Sequence, residues 1–232
     1  MFPLKDDNPT YRTPFVTYGL IAICVLVFLI QQISSNEASH DMVYRFGFIP
    51  ALLTGAGELP PHLSGFPSLL TSVTSMFMHG GWFHLLGNMM FLWIFGDNIE
   101  DVLGHVRFVV FYFLGGFGAV LLHFLSDTSS IIPMIGASGA ISAVLGAYIV
   151  LFPRAKVLTL VWLGFFLTTV RIPALWFLGV WFVMQWLNAL NSTSASGVAW
   201  WAHVGGFIAG ILALFVLKPS RYVFGGKKGP WS

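Results

Sequence analysis

Apolar positions along this chain come in long runs, not in the alternation of a half-buried strand or the one-sided stripe of a surface helix. Crossing a bilayer takes about 20 apolar residues. Five runs meet that length readily: about 15–33, 82–99, 107–125, 173–190 and 199–217. A sixth, 138–152, is shorter. It lies between a Ser/Pro-containing loop and "PRAK", and must be short or deep-set. The stretch "KVLTLVWLGFFLTTVR", residues 156–171, is apolar enough to compete as a seventh.

Charge decides between six and seven. Lys and Arg collect in cytoplasmic segments. With six spans and the N-terminus inside, the inner segments hold Lys5, Arg12, Arg107, Arg154, Lys156, Arg171, Lys218, Arg221, Lys227 and Lys228, and only Arg45 lies outside. A seventh span would move Arg171 and the four C-terminal basic residues outside. The expected fold is therefore an all-α membrane protein, a six-transmembrane-helix bundle with a long first outer loop at about 34–80. Residues 1–14 form a cytoplasmic segment, 15–217 the membrane domain and 218–232 a mobile basic cytoplasmic tail. Residues 157–170 become a re-entrant or interfacial piece on the inner side. In the outer loop, "FGFIPALLTG" and "FPSLLTSVTSMF" are too short to span and are expected at the interface, partly helical. The polar N-terminus has no small-residue cleavage site before the first run, which reads as a retained span rather than a signal peptide.

Composition agrees with a bilayer as solvent. Charged residues are 9% of the chain, against about 25% in soluble domains, and mean hydropathy is +0.81. A net charge of +2 gives no case for nucleic acid. The single cysteine, Cys24, permits neither an internal disulfide nor a cysteine zinc site, and no H-E-x-x-H occurs.

Polar residues inside spans are costly and mark function by default. Ser138 opens the fourth span within "GASG". His84 and Asn88, at i and i+4, share a face near the outer end of the second. His203 lies about one turn inside the outer end of the last, followed by Gly206 and Gly210. Glycines at that spacing let helix backbones approach closely, and the stripe Gly139, Ala143, Ala147 offers a matching surface that would bring Ser138 toward His203. Taken singly, such a serine is packing glue and such a His or Asn a structural contact. Four at one depth on three spans favour a site. His79 sits just before the second span; His40, His62, His105 and His123 read as loop or interface residues. Asp97, Glu100 and Asp101, at the inner end of the second span, read as structural or topological.

A serine hydroxyl needs a base to become a nucleophile, and a buried neutral His203 can accept its proton. No Asp or Glu stands at outer depth within a span, so a Ser–His dyad is expected in place of a triad. The N-terminus of the helix at Ser138 offers free N–H groups, and Asn88 and His84 offer further donors for a developing oxyanion. The soluble-hydrolase elbow G-x-S-x-G is not met, because residue 140 is Ala.

These motifs resemble those of the rhomboid intramembrane serine proteases of the bacterial six-span kind, over roughly residues 10–217. "GASG" matches the family's G-x-S-G, "AHVGGFIAG" its last-span histidine and glycines, and "HGGWFHLLGNM" its H-x-x-x-N element. The resemblance implies Ser138 as nucleophile, His203 as base, and Asn88 and His84 as oxyanion stabilisers, with no metal or cofactor. It implies cleavage of transmembrane substrates near the outer bilayer surface, with small side chains preferred at the cleaved bond and helix-weakening residues nearby. Short loops and the lack of targeting features favour a bacterial inner membrane, with both termini cytoplasmic. The chain departs from the family twice. Leu70 and Thr71 stand where many members have Trp-Arg, and Ser142 where some have a Tyr packed on the histidine. The runner-up is a catalytically silent rhomboid-like protein that binds and guides membrane clients. A transporter is disfavoured because acidic mid-span residues and repeat halves are lacking.

Overall fold

The computed structural model describes residues 2–164, 166–191 and 197–218. The chain opens with strand β1 (Phe2–Asp6) and enters helix α1 (Phe15–Ile33). Three short helices follow: α2 (Asn36–Phe46), α3 (Pro50–Thr54) and α4 (Thr71–Thr74), the last running into a 3-10 turn at Ser75–Phe77. Then come α5 (Trp82–Leu103), α6 (His105–Ser126), α7 (Ser138–Leu151), strands β2 (Lys156–Leu163) and β3 (Phe166–Pro173), α8 (Ala174–Asn191) and α9 (Trp200–Leu217).

The six long helices coincide with the six apolar runs to within a few residues. By length and composition, α1, α6 and α9 are each able to cross a membrane, and α7 is a shorter apolar helix. Helix α7 sits at the centre. Gly139 to Tyr148 are buried without interruption, as expected of a helix that is apolar all round. Its neighbours are α5, α6, α8 and α9. The outer helices turn large apolar side chains outward, among them Leu26 on α1, Leu121 on α6 and Trp176 on α8.

Small residues make the central contact. A β-carbon on Gly206 would overlap the carbonyl oxygen of Gly139, one on Gly210 would strike Ala143, and one on Gly146 would strike the backbone of Phe207. Helices α7 and α9 therefore touch backbone to backbone. Gly115 and Gly118 of α6 make room for the β-carbons of Ala143 and Ala209, which a side chain at either glycine would strike.

At one end, the acidic residues of α5 hold the N-terminal segment. The Glu100 carboxylate accepts the backbone N–H groups of Val16 (2.9 Å) and Thr17 (2.8 Å) and the Thr17 hydroxyl (2.7 Å). It thereby satisfies the free first-turn donors of α1. Asp97 accepts from the Thr10 hydroxyl at 2.6 Å, and Asp101 from the Tyr11 amide at 3.3 Å. His105 Nδ1 also meets Glu100, at 2.6 Å. These carboxylates are structural, as their sequence position suggested.

The fold is not wholly helical. Residues 156–173 form a hairpin, and β1 adds antiparallel to β2 to give a three-stranded sheet, β1–β2–β3. The re-entrant or interfacial piece expected at 157–170 is thus a β-hairpin. The reason is legible afterwards: Val, Leu, Trp, Thr and Ile dominate both arms, and Gly164 supplies the positive φ of the turn (63°). Residues 2–6, within the segment expected to be cytoplasmic, complete the sheet, and the Tyr148 hydroxyl donates to the Asp6 carboxylate. Apart from Lys218, the basic tail expected at 218–232 lies outside the described residues.

At the other end, the loop after α1 folds over the start of α7. Phe48 and Met134 exchange backbone hydrogen bonds (3.0 and 2.8 Å), and the Gly136 amide donates to the Ser75 carbonyl at 2.8 Å. The Gln31 side chain pins His79 by donating to its carbonyl (3.3 Å) and accepting from its amide (3.2 Å).

Candidate active site

Ser138 is the first residue of α7. No side chain caps this helix, so its first-turn N–H groups face the space around the serine. The approach to it is tight. Gly136 has φ +126°, and a β-carbon there would lie 2.7 Å from His84 Nε2, so both backbone angle and space require glycine.

His203 comes from α9. Its Nε2 is 2.9 Å from Ser138 Oγ, a hydrogen bond across 65 residues of sequence. The backbone contact of α7 with α9 brings the two together, three residues beyond His203 and one beyond Ser138. His203 Nδ1 is 2.8 Å from Gln185 Oε1 on α8. Two indoles enclose the ring. Trp181 lies tilted against it, with ring centroids 6.0 Å apart, and Trp200 meets it edge-on at 5.9 Å.

His84 and Asn88 line the same cavity of about 730 Å³ as Ser138 and His203. The Gly80 amide donates to His84 Nδ1 at 3.2 Å. A neutral imidazole has one N–H, so the proton stands on Nε2, the nitrogen packed against Gly136. The buried Asn88 amide donates to the His84 carbonyl at 3.0 Å. All four residues singled out from sequence therefore share one cavity. His79 stays behind it, its buried ring 5.2 Å from that of His84.

Two contributors escaped the sequence reading. Gln185 and Trp181 are four residues apart, on one face of α8, and both touch His203. Gln185 was visible as an uncharged polar residue within an apolar span, the signal that found Asn88. Trp181 had none, because tryptophan is common in such helices. It answers the departure at residue 142. The Ser142 hydroxyl turns back to the Ser138 carbonyl at 2.7 Å, and the aromatic walls beside the histidine come from α8 and α9 instead of α7. Leu70 and Thr71, at the other departure, lie where α4 begins, with Thr71 buried.

Among the described residues, no group of three or more His, Cys, Asp or Glu is arranged to hold a metal ion.

A Rhomboid domain matches residues 67–220, which take in all four residues of the cavity. The chain belongs to the rhomboid family. It is 29% identical over 222 residues to the rhomboid protease GluP of Bacillus subtilis (strain 168), covering 95% of this chain and 38% of that protein. It is 31% identical over 161 residues to RHOMBOID-like protein 1 of Arabidopsis thaliana, covering 68% of this chain and 37% of that one. It is 30% identical over 154 residues to the mitochondrial rhomboid protein 1 of Saccharomyces cerevisiae, covering 62% and 41%. This rhomboid thus spans about two-fifths of the length of these relatives.

Proposed function

We propose that this rhomboid is an intramembrane serine endopeptidase that cleaves transmembrane proteins near the outer membrane surface. The observation that carries the reading is the 2.9 Å bond between Ser138 Oγ and His203 Nε2, made by two different helices at the wall of a cavity. Packing alone does not call for a serine and a histidine in that relation.

In the proposed reaction, His203 Nε2 takes the Ser138 proton as Oγ attacks the scissile carbonyl carbon. The carbonyl oxygen gains negative charge, met by the His84 Nε2–H, the Asn88 amide and the N–H groups that begin α7. Collapse expels the amine, which receives the proton from His203, and leaves an acyl-Ser138. Water, deprotonated by His203, then attacks the acyl carbon; the bond to Ser138 Oγ breaks, and His203 returns the proton to Oγ as the acyl half leaves as a carboxylic acid. Every step uses side chains and backbone N–H groups of this chain and water, and none calls for a cofactor.

Helix α7, at 14 residues, is about 21 Å long at 1.5 Å per residue, against a hydrocarbon core of about 30 Å. In the six-span arrangement, with both termini cytoplasmic, its inner end lies with the sheet. Ser138 is then sunk below the outer surface, in reach of a substrate helix unwinding there. The basic residues support this orientation, and the plasma membrane of a bacterium is the proposed location.

The second reading is a catalytically silent rhomboid-like protein that binds membrane clients. Such a protein needs the glycine contacts but not the Ser138–His203 bond. The deciding experiment is labelling of the detergent-solubilised protein with a fluorophosphonate probe. Wild type is expected to label and Ser138→Ala not to. An unlabelled, folded wild type discards the protease.

A further inference from the structure

We infer that Gln185 is a positioning residue that sets the tautomer of His203, so that a neutral amide serves where many serine hydrolases use a carboxylate; the inference rests on the proposed Ser138–His203 chemistry. The hydrogen bonds leave one self-consistent assignment. Gln185 Nε2 lies 3.2 Å from the Trp181 carbonyl oxygen, which can only accept. The amide nitrogen therefore faces Trp181, and Oε1 faces His203 Nδ1 at 2.8 Å. Oε1 also can only accept, so the ring proton stands on Nδ1. Nε2 is then bare and directs its lone pair at the Ser138 hydroxyl, 2.9 Å away. The opposite tautomer would present an N–H to Ser138 and could take no proton from it.

The same bond gains strength as the reaction proceeds. When Nε2 accepts the serine proton the ring becomes cationic, and a bond from a charged donor is roughly twice as strong as a neutral one. Gln185 thus favours the charged ring without bringing a charge of its own. That suits its place: Gln185 is 7% exposed, in a helix that otherwise turns apolar side chains outward. An unpaired carboxylate there would carry a large desolvation cost while the ring is neutral. Trp181, one turn earlier, closes the same side of the ring, so α8 both sets and shields the base.

Two variants test this. Gln185→Met keeps length and volume but has no acceptor. Gln185→Glu offers an acceptor to Nδ1 whether ionised or neutral. Turnover of a peptide substrate and the melting temperature are measured on the same detergent preparations, with fluorophosphonate labelling of wild type as the check on the underlying chemistry. The methionine variant is expected to lose about 10- to 100-fold in kcat, part of the roughly 10²–10⁴ that general-base catalysis supplies, with KM and melting temperature near wild type. The glutamate variant is expected within about tenfold of wild type in kcat, the range a retained acceptor should preserve. Wild-type kcat in Gln185→Met, or a lowered melting temperature with unchanged kcat per folded molecule, overturns the proposal. A folded Gln185→Glu as slow as the methionine variant also overturns it, and that arm decides the matter if the methionine variant does not fold. Failure of wild type to label would instead sink the serine chemistry itself, a separate outcome.

Discussion

The carbonyl oxygen of Gly139 occupies the space where a side chain at Gly206 would begin. That contact lies one residue from Ser138 and three from His203, so helix separation and the serine–histidine distance are mechanically one quantity. Gly206→Ala must push α9 off α7. Overpacking of this kind costs about 1–3 kcal/mol. The 2.9 Å bond should fail before the fold does, so fluorophosphonate labelling is expected to drop more steeply than the melting temperature. Gly179 is the control, because a β-carbon added there would meet nothing within 4 Å. Gly179→Ala should leave labelling unchanged.

Asn88→Ala is expected to be impaired but not dead. Losing one oxyanion donor costs about 10²–10³ in rate, and the His84 Nε2–H and the N–H groups of α7 remain to soften that. The loss should fall mainly on kcat. In the structure the Asn88 amide also donates to the His84 carbonyl, so a purely structural role predicts a lowered melting temperature with normal turnover per folded molecule. Measuring both on one preparation separates the two.

Glu100 works at the opposite end of α5 from His84, 16 positions along the helix, or ~24 Å. Glu100→Ala strands the Val16 and Thr17 donors. Unsatisfied buried groups cost about 1–3 kcal/mol each, so the melting temperature should fall clearly. Labelling of the fraction that remains folded should not change. Lost labelling in folded protein would mean that the two ends are coupled.

Burial pushes the Asp6 carboxyl up to about 6, from an ordinary value of 3.8. An acid with a raised folded-state value binds its proton more tightly in the fold than in the unfolded chain. Its contribution is therefore most favourable at low pH and is lost as pH rises from about 4 through about 6. The difference in melting temperature between wild type and Asp6→Asn should shift against wild type across that interval. A pH-independent difference would show that Asp6 does not titrate there.

Topology is tested at two exposed loop positions. In whole cells expressing single-cysteine variants on a Cys24→Ala background, a cysteine at Ser129 should react with an impermeant maleimide, and one at Arg154 only after permeabilisation. The reverse pattern would invert the proposed orientation.

What the sequence determined by itself was the set of long helices and the residues that converge. Apolar run length marks a candidate membrane helix, because every backbone group must be satisfied within it, and the placement of Lys and Arg chose among the candidates. Polar residues stand out against such a background, which makes Ser138, His203, His84 and Asn88 legible without the fold. The stripes at Gly139 and Gly206 even indicated which helices meet. Residues 157–170 were less legible. A short run of Val, Leu, Trp and Thr serves an interfacial segment or a strand alike, and the choice fell to pairing with residues 2–6, more than 150 positions away. Only the tertiary structure decided which atoms face which. Gln185 and Trp181 were merely polar and aromatic letters in an apolar helix until the rotation of α8 brought both onto His203. That rotation is set by packing against α7 and α9, and no local pattern in the chain encodes it.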